Sequence, residues 1–221
     1  MTAATIPPAS VPAVSARTRI LATVRAHLFA HGYTALTMDD LAQELGMSKK
    51  TLYVHFPGKD AITGAVIDSI GEELHTRFDA VLSDPGATFL RKLCSVTDII
   101  GDTLGRASPA VLRDLQRSAP ALYQKIEDLR QKTVPFVFGR LIRAGIAEGM
   151  VRADLDPAFA TEFWLQAIRG LVQPAVLERT QLTLRQTIQK ALPILFTGLL
   201  TSAGRKNYAK HLRACEKHTL S

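Results

Sequence analysis

The segment from Thr37 to Phe56, TMDDLAQELGMSKKTLYVHF, constrains the fold more than any other part of this chain. It predicts two short amphipathic helices joined by a tight turn. Thr37 and Ser48 each stand where a helix N-cap belongs, and Gly46 tolerates the positive φ angle that the turn needs. A second helix held against a first in this way can enter the major groove of DNA.

Apolar residues recur at helical spacing along the rest of the chain, which predicts an all-α fold of about nine helices. The first helix is expected from about Ser15 to His31, and Pro57-Gly58 should end the third. Later helices are predicted at 59–81, 87–105, 109–117, 120–148, 157–178 and 181–203. Pro135, Pro174 and Pro193 fall inside these patterns, so we expect a kink or a break at each.

The same pattern divides the chain into four parts. Residues 1–14, rich in Ala, Pro, Ser and Thr, are predicted to be a disordered leader. Residues 15–65 should form a three-helix, helix-turn-helix DNA-binding domain with a linking helix that extends to about residue 81. Residues 87–203 should form a second helical domain. Residues 204–221 are interpreted as a basic, solvated tail, with an auxiliary contact to DNA phosphates as the alternative.

Composition narrows the class of protein. The chain is 47% hydrophobic and 21% charged, and its net charge of +7 weakly favours an anionic partner. No apolar run reaches the roughly 18 residues that a membrane helix needs, so no membrane partner is expected. Cys94 and Cys215 fit neither a CxxC pair nor a zinc pattern, which indicates a reduced, cytoplasmic setting. Cys94 is interpreted as a small hydrophobic residue, and a redox role for it stays open.

Motifs of catalysis are not found. The sequence contains neither GxSxG nor GxxxxGK[ST]. His27 and His31 are spaced to share a metal ion, yet no third ligand is suggested nearby. Asp39-Asp40 and Glu72-Glu73 are adjacent pairs, so each pair points to different helical faces. We therefore predict no enzyme, no metal site and no cofactor.

The outward side of the third helix carries the chemistry for DNA contact. It is predicted to present Lys49, Lys50, Thr51, Tyr53 and His55. Lysines bind guanine edges or phosphates, Thr51 can meet a thymine methyl group or a phosphate, and Tyr53 can donate to a phosphate. Lys59 stands at the start of the fourth helix, whose free N–H groups also attract phosphate. His55 is equally compatible with DNA contact and with packing.

Residues in this region match a known family pattern across about residues 15–65. The matching residues are Phe29, Gly32, Tyr33, Thr37, Leu41-Ala42, Leu45-Gly46-Met47-Ser48, Thr51-Leu52-Tyr53, His55-Phe56 and Lys59. The set resembles the tetracycline-repressor (TetR) family of bacterial regulators. Lys50 departs from the pattern, since many members carry Gly or Ala there. The remainder of the chain is similar to the family only in being helical and of suitable length.

The resemblance implies a homodimeric transcriptional regulator that binds a palindromic double-stranded operator. Repression, with release by a small-molecule effector, is the family's commoner mode. The DNA contacts expected on this basis are Thr37, Ser48, Lys49, Lys50, Thr51, Tyr53, His55 and Lys59. The alternative is a helical interaction or adaptor protein with only non-specific affinity for nucleic acid. The effector and the operator sequence are left open.

The resemblance also makes residues 87–203 a ligand-sensing and dimerisation domain. An apolar or aromatic effector is expected to meet Phe89, Leu93, Cys94, Thr97, Tyr123, Phe136, Arg140 and Trp164, although each can instead be a core residue. The dimer interface is expected at Phe163, Ala167, Gly170, Leu171, Leu184, Ile188, Leu192, Leu195, Phe196 and Leu199. Ala167 and Gly170 are small enough for close helix approach, and packing within one monomer is the alternative.

Overall fold

A computed structural model describes residues 15–105 and 107–218, without the side chains of residue 109 and residues 211–218. The predicted leader, 1–14, lies outside the described residues. Eleven helices are present in the described part: α1 (Ala16–His31), α2 (Met38–Glu44), α3 (Lys49–His55), α4 (Lys59–Ser83), α5 (Phe89–Leu104), α6 (Pro109–Ser118), α7 (Pro120–Ala147), α8 (Pro157–Leu171), α9 (Pro174–Thr180), α10 (Leu184–Leu199) and α11 (Ser202–His218). The predicted all-α class is confirmed. An isolated antiparallel bridge joins Val151 to Leu200.

The described part of the structure contains two more helices than predicted, α9 and α11. Pro174 separates α8 from α9, so the predicted break is confirmed there. Pro135 and Pro193 lie inside continuous helices, so a break at either is wrong. Buried neighbours on both helices hold the backbone helical despite the lost N–H.

Helix α11 occupies most of the segment that we expected to be a solvated tail. Its Tyr208 side chain is only 8% exposed and lies 6.3 Å from the ring of Phe196, measured between ring centroids. Gly204 is also buried. The start of this basic segment therefore packs on the second half of the protein, and residues 219–221 lie outside the described part.

One hydrophobic core joins the first four helices to α6 and the beginning of α7. Val24, Leu41 and Leu52 are fully buried in it. Val111 and Leu115 of α6 belong to the same core. Because each buried aliphatic side chain contributes about 1.5–3 kcal/mol, this packing joins α6 firmly to α1–α4, across the boundary predicted between residues 15–65 and 87–203.

A second core lies among the end of α4, α5, α7, α8, α10 and α11. Its centre is aromatic: the ring centroid of Phe196 lies 5.9 Å from that of Phe89 and 6.0 Å from that of Phe138. All three side chains are buried. These edge-to-face and tilted arrangements are the ones that aromatic rings prefer.

Helices α4 and α7 connect the two cores. Lys125 Nζ lies 2.7 Å from Asp68 Oδ2, and Arg140 Nη1 lies 2.7 Å from Asp79 Oδ1. Because the residue numbers rise together on both helices, α4 and α7 run in the same direction. A space between them would therefore extend from the DNA-binding module into the second core.

Candidate DNA-binding surface and effector cavity

Side-chain caps determine where α2 and α3 begin. Thr37 Oγ1 accepts a hydrogen bond from the backbone N–H of Asp40 at 3.1 Å, and Ser48 Oγ accepts one from the N–H of Thr51 at 3.1 Å. Gly46 in the turn has a φ angle of +63°, the left-handed region that favours glycine. With Leu52 buried on the inner side, the opposite side of α3 is turned outward.

The outward side of α3 is basic, polar and partly apolar. Lys49, Lys50 and Thr51 are exposed, and Tyr53 is 49% exposed. Lys49 Nζ forms an ion pair with Asp39 on α2. No ion pair with Lys50 is found among the described residues.

Val54 is the outward residue that the sequence analysis missed. Its side chain is 78% exposed. Leu52 and Phe56 point inward, and Val54 lies two residues from each, which turns it about 200° away on a helix. That spacing was the available signal, although valine is an unusual choice for an exposed position.

Lys59 and Tyr33 form a contact at the start of α4. Lys59 Nζ donates to the backbone carbonyl of Tyr33 at 3.4 Å and lies 4.2 Å from the centre of the Tyr33 ring. The Tyr33 hydroxyl donates to Asp60 Oδ1, and burial together with that bond raises the pKa of Tyr33 to about 12. Lys59 is thus held beside α3 and is half-buried, as is His55.

Asp114 of α6 fastens the loop that precedes α2. Its Oδ2 accepts from the backbone N–H of Thr34 at 2.6 Å, and its Oδ1 accepts from the Thr34 hydroxyl. Burial opposes ionisation of Asp114, but the hydrogen bonds from Thr34, together with those from the Tyr33 backbone and Ser118, outweigh it and lower the pKa of the carboxyl group. Helix α6 is therefore attached to the helix-turn-helix by polar bonds as well as by its apolar face.

A second polar junction links α1 to α4 and α5. Arg25 Nη1 lies 2.6 Å from Glu73 Oε2, and its Nη2 donates to the carbonyl of Thr103 at 2.9 Å. Partial burial raises the pKa of Glu73, but the hydrogen bond and charge of Arg25, with contributions from Thr103 and Arg77, bring it below its usual range. The ionised carboxylate of Glu73 on α4 thus links α1, through Arg25, to α5, through Thr103.

A cavity of about 230 Å³ lies between the two hydrophobic cores. Leu28 of α1, Val66 of α4 and Leu115 of α6 line one end, while Phe138 of α7 and Trp164 of α8 line the other. Nearly all of its wall is aliphatic or aromatic. Such an apolar space with a few polar groups is typical of small-molecule sites.

The cavity includes two of the eight residues predicted to meet an effector, Leu93 and Trp164. Phe89 packs against Phe196, and Tyr123 donates to Gln173 Oε1 at 3.0 Å. The others lie on α5 or α7 away from its wall: Cys94, Thr97, Phe136 and Arg140, of which Arg140 binds Asp79. The prediction favoured aromatic residues, whereas the wall is mainly aliphatic.

The residues predicted at a dimer interface divide between two environments. Phe163, Gly170 and Leu171 of α8 are exposed, and Ala167 and Leu184 are half-buried. The α10 residues instead face the second core: Ile188, Leu192, Leu195, Phe196 and Leu199. The large apolar stripe of α10 thus packs inside the protomer.

The most exposed large apolar residues on α8 and α10 are Phe159, Phe163 and Ile194, and Leu171 at the end of α8 is exposed to a smaller extent. The first three side chains are 70%, 58% and 79% exposed. Phe159 and Phe163 are four residues apart and share one face of α8. Sequence reasoning missed Phe159 and Ile194, because a single isoleucine between core positions carries no periodic signal.

Other candidate chemistry is limited in the described part of the chain. The rings of His27 and His31 lie 4.9 Å apart, but no cluster of three or more metal-ligating His, Cys, Asp or Glu residues occurs within the described ranges. Across those same residues, no helix has both the length and the apolarity needed to span a membrane.

Comparison with known proteins identifies the module. Residues 20–66 match the family described as bacterial regulatory proteins, tetR family. The nucleoid occlusion factor SlmA of Marinomonas sp. is 28% identical over 164 residues, which cover 71% of this chain and 81% of that protein. The HTH-type transcriptional repressor DhaR of Mycobacterium sp. is 25% identical over 77% of this chain and 85% of its own length.

The fold similarity extends well beyond that module. A TetR-family transcriptional regulator from Marinobacter aquaeolei superposes with a TM-score of 0.68 at 20% identity, covering 89% of this chain and 97% of that one. The basic helix α3 is capped and faces outward from a three-helix module, and a larger helical half follows it. This arrangement is that of a helix-turn-helix DNA-binding transcriptional regulator. Its residues 20–66 match the DNA-binding module of the TetR family, and the fold of the whole chain is similar to that of TetR-family regulators.

Proposed function

We propose that this regulator is a homodimeric repressor that binds a palindromic operator and leaves it when a mostly apolar small molecule occupies the cavity. The outward side of α3 is the observation that carries the proposal. It is exposed, basic and free of acidic residues from Lys49 to His55, and its inner side is firmly packed. Such a role requires binding and a change of conformation, and no catalytic step.

The proposed DNA contacts divide by type. Lys50, Thr51 and Val54 are suited to base edges, where Val54 can meet a thymine methyl group. Tyr53 and Lys59 are suited to phosphates, because a phenol hydroxyl and an ammonium group both donate to phosphate oxygens. The remaining predicted contacts stay proposals for phosphate binding: Thr37, Ser48, Lys49 and His55. Lys49 must exchange its ion pair with Asp39 for a phosphate.

Dimerisation is proposed through the uncovered faces of α8 and α10. Large apolar side chains that remain exposed in a protomer mark protein interfaces when they cluster, as Phe159 and Phe163 do. One recognition helix contacts too few base pairs for specificity. Two such helices, held about 34–36 Å apart, would contact successive major grooves of a palindrome.

Effector control is proposed to act through the shared cavity. A ligand changes DNA affinity only if it binds the two conformations of the protein unequally. Here the cavity wall includes α1 and the start of α4, so an occupant would touch the DNA-binding module itself. A coupling free energy of about 1–3 kcal/mol between effector and operator is the usual range.

The direct test is a titration of the full chain against DNA from upstream of its own coding sequence, with random competitor and a series of salt concentrations. We expect retention of one segment that survives competitor, because base contacts discriminate where phosphate contacts do not. Binding that is weak, equal for all sequences and abolished by modest salt would instead support the adaptor protein.

Lys59→Ala is expected to weaken binding to specific and random DNA by the same factor. Removing one phosphate contact should reduce the slope of log affinity against log salt by about one. The measurement is fluorescence anisotropy at several salt concentrations. An unchanged slope would remove Lys59 from the phosphate contacts.

Lys50→Ala is the comparison variant, since both substitutions remove one positive charge from the same surface. If Lys50 contacts a base, its loss changes discrimination between operator variants by about 1–3 kcal/mol. A change that is equal for all sequences would reassign Lys50 to the phosphates. Thermal unfolding of both variants controls for loss of the Tyr33–Lys59 contact.

A further inference from the structure

We infer that the effector is a slender, uncharged, mostly apolar chain with one hydrogen-bonding end, and that Thr63 on α4 binds that end. This inference rests on the proposed effector site and adds to it the class of ligand and the residue that orients it. Thr63 was not singled out by the sequence, in which it is one threonine within an amphipathic helix.

Thr63 is a fully buried polar residue of the cavity wall whose hydrogen bonding is incomplete. The residue is fully buried, it lines the cavity, and its Oγ1 has no hydrogen-bond partner within the described part of the chain. A buried hydroxyl without a partner is unfavourable, and native proteins avoid it unless a ligand or water completes the bond. A ligand hydroxyl or carbonyl at this position would satisfy it.

The shape of the cavity selects a narrow ligand. Thr63 and Phe78 both line it, and they lie fifteen residues apart on the same helix, α4. At 1.5 Å per residue this separation is about 22 Å. A volume of about 230 Å³ is small for a space whose lining extends over that length, which suits a single extended chain better than a bulky set of fused rings.

The charges around the cavity favour a neutral ligand. Arg130 is the charged residue of the wall as the described chain forms it, and its guanidinium donates to Glu127. Glu127 is 4% exposed and also accepts from Arg169 Nε at 3.3 Å. Arg130 therefore already has a counterion, and a ligand carboxylate would have to displace it. The unmet demand is that of a hydroxyl group, which both donates and accepts.

The position of Thr63 also connects the ligand to DNA binding. Thr63 lies one helical turn after Lys59, which is proposed to contact a phosphate. Leu28 of α1 and Leu115 of α6 line the same end of the cavity. A polar group bound to Thr63 would thus lie where α1, α4 and α6 meet, and would alter how α1 packs on α4.

The test measures occupation of the cavity without DNA. Trp164 is the single tryptophan of the chain and lines the far end, so its fluorescence reports a ligand directly. Straight-chain primary alcohols from octanol to hexadecanol are titrated into the full protein, together with the carboxylates of equal length. We expect saturable changes for the alcohols, tightest at one chain length, and weaker binding of the carboxylates.

Thr63→Val keeps the shape of the side chain and removes the hydroxyl, while Thr63→Ser keeps the hydroxyl. We expect T63V to weaken binding of the best alcohol about tenfold and T63S to stay within about twofold of the parent. If T63V does not fold, as judged by its thermal transition, Thr63→Ala supplies the same comparison.

Three results would overturn the inference: no alcohol binds, T63V binds the alcohols as the parent does, or the carboxylates bind more tightly and lose affinity in an Arg130→Met variant. Release from operator DNA is measured separately. Loss of alcohol binding in T63V with no effect of alcohols on DNA would retain the ligand assignment and reject effector control. If alcohols release T63V from DNA as readily as they release the parent, effector control is retained and the assignment of Thr63 as the ligand-binding residue is rejected.

Discussion

Replacing Phe163 and Ile194 together with glutamate is expected to leave a folded monomer that has lost specific operator binding. Both side chains are exposed in the protomer, so the change leaves its cores intact. In a dimer they would be covered, and a buried carboxylate without a partner costs several kcal/mol. Two separate monomers would then have to bind the two half-sites of the operator. Because the advantage of a linked pair is lost, operator affinity should fall by about 100-fold or more.

Sedimentation at micromolar concentration and anisotropy with operator DNA measure the two effects. Gln189→Glu is the matched control: it also places a glutamate at an exposed position of α10, five residues from Ile194 and so on another face of the helix. A double variant that remains dimeric and binds DNA would place the interface elsewhere. A parent protein that is monomeric would reject the homodimer itself.

Phe196→Ala is expected to lower the free energy of unfolding by about 3–5 kcal/mol, the usual cost of removing a buried aromatic side chain. Phe196 is fully buried, and its ring lies near those of Phe89, Phe138 and Tyr208. The loss would leave a void where α10, α5, α7 and α11 meet. Urea unfolding at fixed protein concentration measures it, since dimerisation contributes to apparent stability.

Ile194→Ala on the same helix distinguishes the two faces of α10. Its side chain is exposed, so we expect little loss of protomer stability and a shift of the dimer equilibrium instead. The opposite pattern, with Phe196→Ala affecting only dimerisation, would return Phe196 to the interface that the sequence analysis assigned it.

The sequence predicted the DNA-binding module well, because its determinants are local. Caps at Thr37 and Ser48 and the glycine turn act within a few residues of each other, and the structure contains all three features. Helix α11 was missed because its sequence is strongly basic. The burial of Tyr208 depends on a distant surface around Phe196 that no local pattern records.

The second half was harder to predict because its helices have more than one apolar face. On α10 the strongest stripe, which includes Leu192 and Leu195, packs inside the protomer. The candidate interface uses the isolated Ile194. The cavity was likewise assigned to aromatic residues such as Phe136, whereas mainly aliphatic residues between the parallel helices α4 and α7 form it. Which face meets which helix is decided by tertiary packing.

The shared packing of α6 restricts how such regulators can be recombined. Val111 and Leu115 complete the base on which the helix-turn-helix rests, and Asp114 holds its entry loop. A chimera that joined residues 15–83 to the sensor of another regulator would inherit a foreign α6 against this base. A functional chimera would therefore have to include α6 together with residues 15–83. Otherwise the residues of the foreign α6 that contact the module would have to be redesigned.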